Sequence, residues 1–106
     1  MNTTMTSITK QRQLNKDTAA RRADTLKALG HPIRLQIVDL LAAAPHNVGE
    51  LADKLGVQSA IVSQQLKILR LSGLVAVNKR GGRSYYDLAN SHLSNLLECL
   101  RSCDQA

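Results

Sequence analysis

A chain of 106 residues makes one domain of ordinary size and leaves no room for a second domain with its own core, which excludes two-domain enzymes. Apolar residues make up 43% and aromatics only 2%, namely Tyr85 and Tyr86, so a core must be built from Leu, Ile, Val and Ala, a composition that favours packed helices. Fourteen Lys and Arg against eight Asp and Glu leave a net charge of +6, which points to a polyanionic partner, nucleic acid first. No apolar run approaches the ~20 residues of a membrane span, and the opening MNTTMTSITK lacks the apolar stretch of a secretion signal. A cytoplasmic protein with no membrane partner is expected.

Residues 1 to 14 are polar and without helical period, and read as a flexible tail ahead of one domain over residues 15–106. From about Lys16, Ala19, Ala20, Ala23, Leu26 and Leu29 recur near a 3.6 period up to Gly30, a first helix. Pro32 suits a first helical position, and Ile33, Leu35, Ile37, Val38, Leu40 and Leu41 give a second helix a wide, buried face until Pro45. A short third helix runs from about Gly49 to Leu55 and ends at Gly56. A fourth spans Ser59 to Leu71, with Ile61, Val62, Leu66, Ile68, Leu69 and Leu71 inward and Gly73 closing it. The tight joint at Gly56 makes this pair a helix-turn-helix. Leu74, Val75 and Val77, then Ser84, Tyr85 and Tyr86, are strand-prone around a Gly81-Gly82 turn, so a β-hairpin is expected. One tyrosine should face the core and the other the surface. A last helix begins at Asn90 or Ser91 and runs to about Cys103 with Leu93, Leu96, Leu97 and Leu100. The expected fold is mainly α with a small β-hairpin, a winged helix-turn-helix in the order α-α-α-α-β-β-α.

Between Asp53 and Asp87 no acidic residue occurs, while Lys54, Lys67, Arg70, Lys79, Arg80 and Arg83 all do. A merely solvated surface usually interleaves both signs. On the fourth helix, Gln58, Ser59, Ala60, Ser63, Gln64 and Lys67 can point away from the apolar face. Short polar side chains of this kind read base edges in a major groove, whereas Lys and Arg mainly hold phosphate. The hairpin tip, with Lys79, Arg80 and Arg83 around two glycines, suits the DNA backbone or the neighbouring minor groove. No acid, base and nucleophile converge and no Gly-rich loop cradles phosphate, so no enzyme is expected.

Three ordered segments, LGHPIRLQIVDLL, VGELADKLGVQSAIVSQQLKILRLSGLV and KRGGRSYYDL, resemble the winged-helix repressors of the arsenical and metal sensor (ArsR/SmtB) family over roughly residues 20 to 103. The family's recognition segment usually reads Ser-Gln-x-x-Val-Ser-x-His-Leu. Here Ser63 and the apolar framework match, while Gln58, Ser59 and Gln65 depart, so a different operator is expected. The resemblance implies a homodimer paired through its first and last helices, bound to a double-stranded operator that is an imperfect inverted repeat, and released by an inducer. The family's Cys-x-Cys site is absent, since Glu50-Leu51-Ala52-Asp53 stands there, and of its last-helix site only His92 and Cys103 remain as ligands beside Asn90 and Ala106.

His92, Cys99 and Cys103 fall within about 40° of one stripe of the last helix, yet His92 lies about 10 Å along the axis from Cys99, so a shared ion needs the partner's helix. No resident cofactor is required. Three readings stand open: thiol sensing of a soft metal or metalloid ion, or of an oxidant or reactive sulfur; cysteines that only pack, in a DNA-binding regulator with no small inducer; and His92-assisted zinc binding. His31 and His46 read as cap and loop residues rather than ligands.

Overall fold

The computed structural model describes residues 13–103. The expected tail therefore lies outside the described residues except for Gln13 and Leu14, as does Ala106. Eight elements follow: α1 (Lys16–Leu29), α2 (Pro32–Ala43), β1 (His46–Asn47), α3 (Val48–Leu55), α4 (Ser59–Leu71), β2 (Val75–Arg80), β3 (Arg83–Leu88) and α5 (Leu93–Ser102). Five helices and a hairpin in the expected order form a winged helix-turn-helix. β1 is an addition. It pairs antiparallel with β3, His46 opposite Tyr86 and Asn47 opposite Tyr85, and so extends the hairpin to a three-stranded sheet of order β1-β3-β2.

Local chemistry sets the helix starts. Asn15 Oδ1 accepts from the Thr18 N–H at α1, and His31 Nδ1 accepts from the Ile33 N–H ahead of Pro32 at α2. At α3 a reciprocal capping box forms: Asn47 Oδ1 accepts from the Glu50 N–H and Glu50 Oε1 from the Asn47 N–H. Between α3 and α4, Gly56 adopts φ +68, left-handed backbone that side chains resist, which gives the helix-turn-helix its short joint. In the hairpin both Gly81 and Gly82 have positive φ, the two-residue turn whose twist matches the strands, and it sets Arg80 opposite Arg83.

Ile37, Val38 and Leu41 of α2 meet Leu51 of α3, Val62, Leu66 and Leu69 of α4, Leu74 and Val75 at the start of the wing, and Leu93 and Leu97 of α5 in one buried cluster. Tyr86 packs against this core and Tyr85 does not, the split expected of neighbouring strand residues. Two expectations are corrected. Ile68 and Leu71 lie on the surface, Leu71 at 74% exposure, because α4 rolls only its 62, 66 and 69 stripe into the core. Helix α5 starts at Leu93, later than Asn90 or Ser91, because Asn90 Oδ1 accepts from the His92 N–H and closes a turn ahead of the helix.

Candidate nucleic-acid interface

Helix α4 is laid out in two stripes. Val62, Leu66 and Leu69 are buried, while Ser59, Ala60, Ser63, Gln64 and Lys67 are all exposed. Gln58 is the N-cap in extended backbone and makes no capping bond with its side chain; its carbonyl accepts from the Ile61 and Val62 N–H groups instead. Its amide is thus left to the surface beside Ser59. All six predicted residues therefore belong to one exposed face whose position is set from behind by the apolar stripe.

The wing carries the remaining cations. Lys79, Arg80 and Arg83 are exposed, Lys79 pairs with Ser84 in register, and the Arg80 guanidinium lies 5.8 Å from the centre of the Tyr85 ring. That stacking gives Tyr85 a role at the surface: it steadies a cation at the hairpin tip while leaving its N–H groups free to donate. With no acidic residue from Lys54 to Tyr86, α4 and the wing form one positive surface with hydrogen-bonding groups on its helical part.

Behind this surface lie Arg34, which the sequence does not single out, and His46, which it reads as a loop residue and which the structure places in β1. Arg34 of α2 donates through Nη1 to Gln65 Oε1 of α4 at 2.9 Å, and through Nε to the Ala28 carbonyl in the last turn of α1. The only signal was that Gln65 departs from the usual family residue. His46 is buried in β1; its Nδ1 lies 2.7 Å from the Ala44 carbonyl and its Nε2 lies 2.8 Å from Lys54 Nζ. A carbonyl only accepts, so Nδ1 carries the proton and Nε2 accepts from the ammonium, tying α3 to the sheet.

Cys99 on α5 and Cys103 at its C-cap are exposed free thiols, and Cys103 Sγ donates to the Cys99 carbonyl at 3.5 Å. His92 is exposed at the N-cap of the same helix. Among the described residues, no three His, Cys, Asp or Glu side chains gather as a metal site, so His92, Cys99 and Cys103 are not brought together within one chain. Helix α5 is tied to α2 by the Arg101 to Asp39 ion pair.

Residues 31–77 match the family described as "Bacterial regulatory protein, arsR family". The HTH-type transcriptional regulator NmtR of Mycobacterium tuberculosis is 39% identical over 85 residues, which are 80% of this chain and 71% of that one. The chain belongs to the ArsR family. Among solved structures of similar chains, the transcriptional repressor BigR from Xylella fastidiosa superposes with a TM-score of 0.76 at 33% identity, covering 82% of this chain and 89% of that one. A homodimeric winged helix-turn-helix DNA-binding domain from Mycobacterium bovis gives 0.75 at 30% identity, with 89% of each chain covered. This ArsR-family chain is accordingly a DNA-binding transcriptional repressor and not an enzyme. No described helix is long and apolar enough to cross a membrane.

Proposed function

We infer that this ArsR-family repressor acts as a homodimer on an imperfect inverted repeat, with the α4 helices of two copies entering successive major grooves about one helical turn apart. The observation that carries this reading is the two-sided α4: an apolar stripe locked in the core and, opposite it, exposed Ser63, Gln64 and Lys67. Ser63 and Gln64 would meet base edges, with Gln58, Ser59 and Ala60 beside them at the N-terminal end of the helix. Lys67 and the wing residues Lys79, Arg80 and Arg83 would hold phosphates or the adjoining minor groove.

The test separates readout from grip. Ser63→Ala or Gln64→Ala is expected to lose about 1 to 3 kcal/mol on the operator and little on random duplex. Arg80→Ala and Arg83→Ala should weaken both DNAs alike and flatten the salt dependence by about one unit of log-log slope for each phosphate no longer neutralised. Equal losses on both DNAs for the α4 variants would overturn the assignment.

The inducer is read at Cys99 and Cys103. Both thiols are exposed within one protomer, which disfavours internal packing as their role, and they sit one turn apart on a helix assigned to dimer pairing. Two thiolates suit a soft metal or metalloid ion but do not close a site, so further ligands would come from the partner copy; oxidation of the thiols is the other route. Either event would alter how the last helices pack and so the spacing of the two α4 helices. A hundredfold loss of operator affinity needs a coupling of only about 2.7 kcal/mol. Cys99→Ser with Cys103→Ser should give a dimer that still binds operator but is no longer released by arsenite, cadmium or peroxide. A double variant that responds like the parent would show that the sensor lies elsewhere. A cytoplasmic location, alongside the operator, completes the reading.

A further inference from the structure

Helix α4 meets the rest of the chain through Val62, Leu66 and Leu69, and apolar packing of this kind is non-directional: it resists separation of the helix far better than rotation about its axis. Among the described residues, only one side-chain hydrogen bond joins α4 to another element, that from Arg34 Nη1 to Gln65 Oε1. A charge-assisted hydrogen bond is directional, and it is anchored one residue beyond Gln64 and two beyond Ser63. The other end of Arg34 reaches α1. In the last turn of that helix the Lys27 carbonyl accepts from the Gly30 N–H and the Leu29 carbonyl from the His31 N–H, while the Ala28 carbonyl between them accepts from Arg34 Nε. A cation at this C-terminal end also complements the helix dipole. Because the guanidinium is planar, with donors in a fixed fork, its two bonds hold the end of α1 and the flank of α4 to one rigid group.

We propose that Arg34 and Gln65 are positioning residues for operator reading: the guanidinium sets the rotation of α4 from the last turn of α1, so a change in how α1 packs reaches Ser63 and Gln64. The inference rests on the α4 face being the surface that reads the operator. It assigns Gln65 a duty behind the interface rather than on DNA, and it makes α1, a helix assigned to dimer pairing, part of the route by which pairing is felt at the bases.

The test compares anisotropy titrations on operator and on random duplex at one salt concentration. Gln65→Met keeps the length of the side chain and removes the acceptor, while Arg34→Lys keeps the charge and removes the fork. Each should lower operator affinity about tenfold, the size of one charge-assisted hydrogen bond, with random-duplex affinity unchanged. The double variant should lose no more than either single one. Gln65→Glu restores an acceptor for Arg34 and should keep the operator-to-random ratio even as its charge weakens both affinities; it decides the matter should the other variants not fold. An unchanged operator affinity in Gln65→Met, a full ratio in Arg34→Lys, additive losses in the double variant or a lost ratio in Gln65→Glu would each overturn the proposal. Ser63→Ala as a control separates the two levels. If it loses the ratio while the Arg34 and Gln65 variants keep theirs, only this inference falls; if it too keeps the ratio, the reading of the α4 face falls with it.

Discussion

The α2 to α4 region and the α1 and α5 pair are built to different standards. Each joint of the first is closed: His31 caps α2, a reciprocal box caps α3, Gly56 turns the chain, and Ile37, Leu51, Val62, Leu66 and Leu69 are fully or almost fully buried. In the second, α1 buries only Ala28 and Leu29 of its fourteen residues, and Leu26 and Leu100 stand 58% and 43% exposed. The first region is therefore closed within a single copy except at Ile68 and Leu71, which α4 leaves on the surface, whereas α1 and α5 carry apolar surface that a second copy would cover on the proposed pairing. The helices proposed to read DNA hold their core contacts within one copy, whereas α1, assigned to pairing, holds few.

The largest expected effect tests the first half of that contrast. Leu66→Ala removes a buried side chain where every neighbour is already packed, and should cost about 2 to 5 kcal/mol in urea unfolding. Leu26→Ala should cost less than about 0.5 kcal/mol at low protein concentration and more as concentration rises, because on the proposed pairing its neighbours would belong to the other copy. Equal and concentration-independent losses at the two positions would erase the distinction.

Next in size is the pairing itself. Leu26→Asp with Leu100→Asp places charge on the exposed apolar surface of α1 and α5, so the protein should sediment as a folded monomer. Operator affinity should fall by about a hundredfold or more as the two half-sites lose their tether. A persistent dimer would move the pairing surface to other exposed apolar residues, Ile68 and Leu71 of α4 first among them.

That ambiguity over Ile68 and Leu71 marks the boundary of what the amino-acid pattern carries. Helical period and Gly or Pro punctuation place α1 to α4 within a residue or two of their observed ends, since both signals are local. The same period puts Ile68 and Leu71 inward, because an apolar residue awaiting a partner and one in the core look alike in sequence. β1 has two residues, too few for any alternation, and exists only because His46 and Asn47 meet Tyr86 and Tyr85 some forty positions on. On the interface, exposed polar residues opposite an apolar stripe are readable, and all six on α4 lie on the surface. The Arg34 to Gln65 bond spans 31 positions and depends on how two helices cross, so nothing in the local pattern announces it.

A smaller effect is expected at the α3 cap. Asn47→Ala removes the acceptor for the Glu50 N–H and leaves the Glu50 side chain without its reciprocal arrangement, which should cost about 1 kcal/mol in urea unfolding. Asn47→Asp retains an acceptor and should recover most of that loss. If Asn47→Ala were silent, the closure of joints around the recognition helices would not be what holds them within one copy.

The smallest effect should come from the ion pair that fastens α5. Arg101 and Asp39 are each nearly half exposed, so water and salt screen their attraction, and ordering two side chains opposes it further. Arg101→Ala should therefore cost about 0.2 to 1 kcal/mol at low ionic strength, and that difference should disappear near roughly 1 M salt, where screening acts within a few ångströms. Leu93 and Leu97 root the first half of α5 in the core, so it is the C-terminal turn beyond them, fastened by this exposed pair, that would shift when the thiols gain a ligand, which is what the proposed sensing at Cys99 and Cys103 requires. A loss above about 2 kcal/mol that survives high salt would exceed the range for an exposed pair. Helix α5 would then belong with the rigid region, and the route from thiol to operator would have to run through α1 instead.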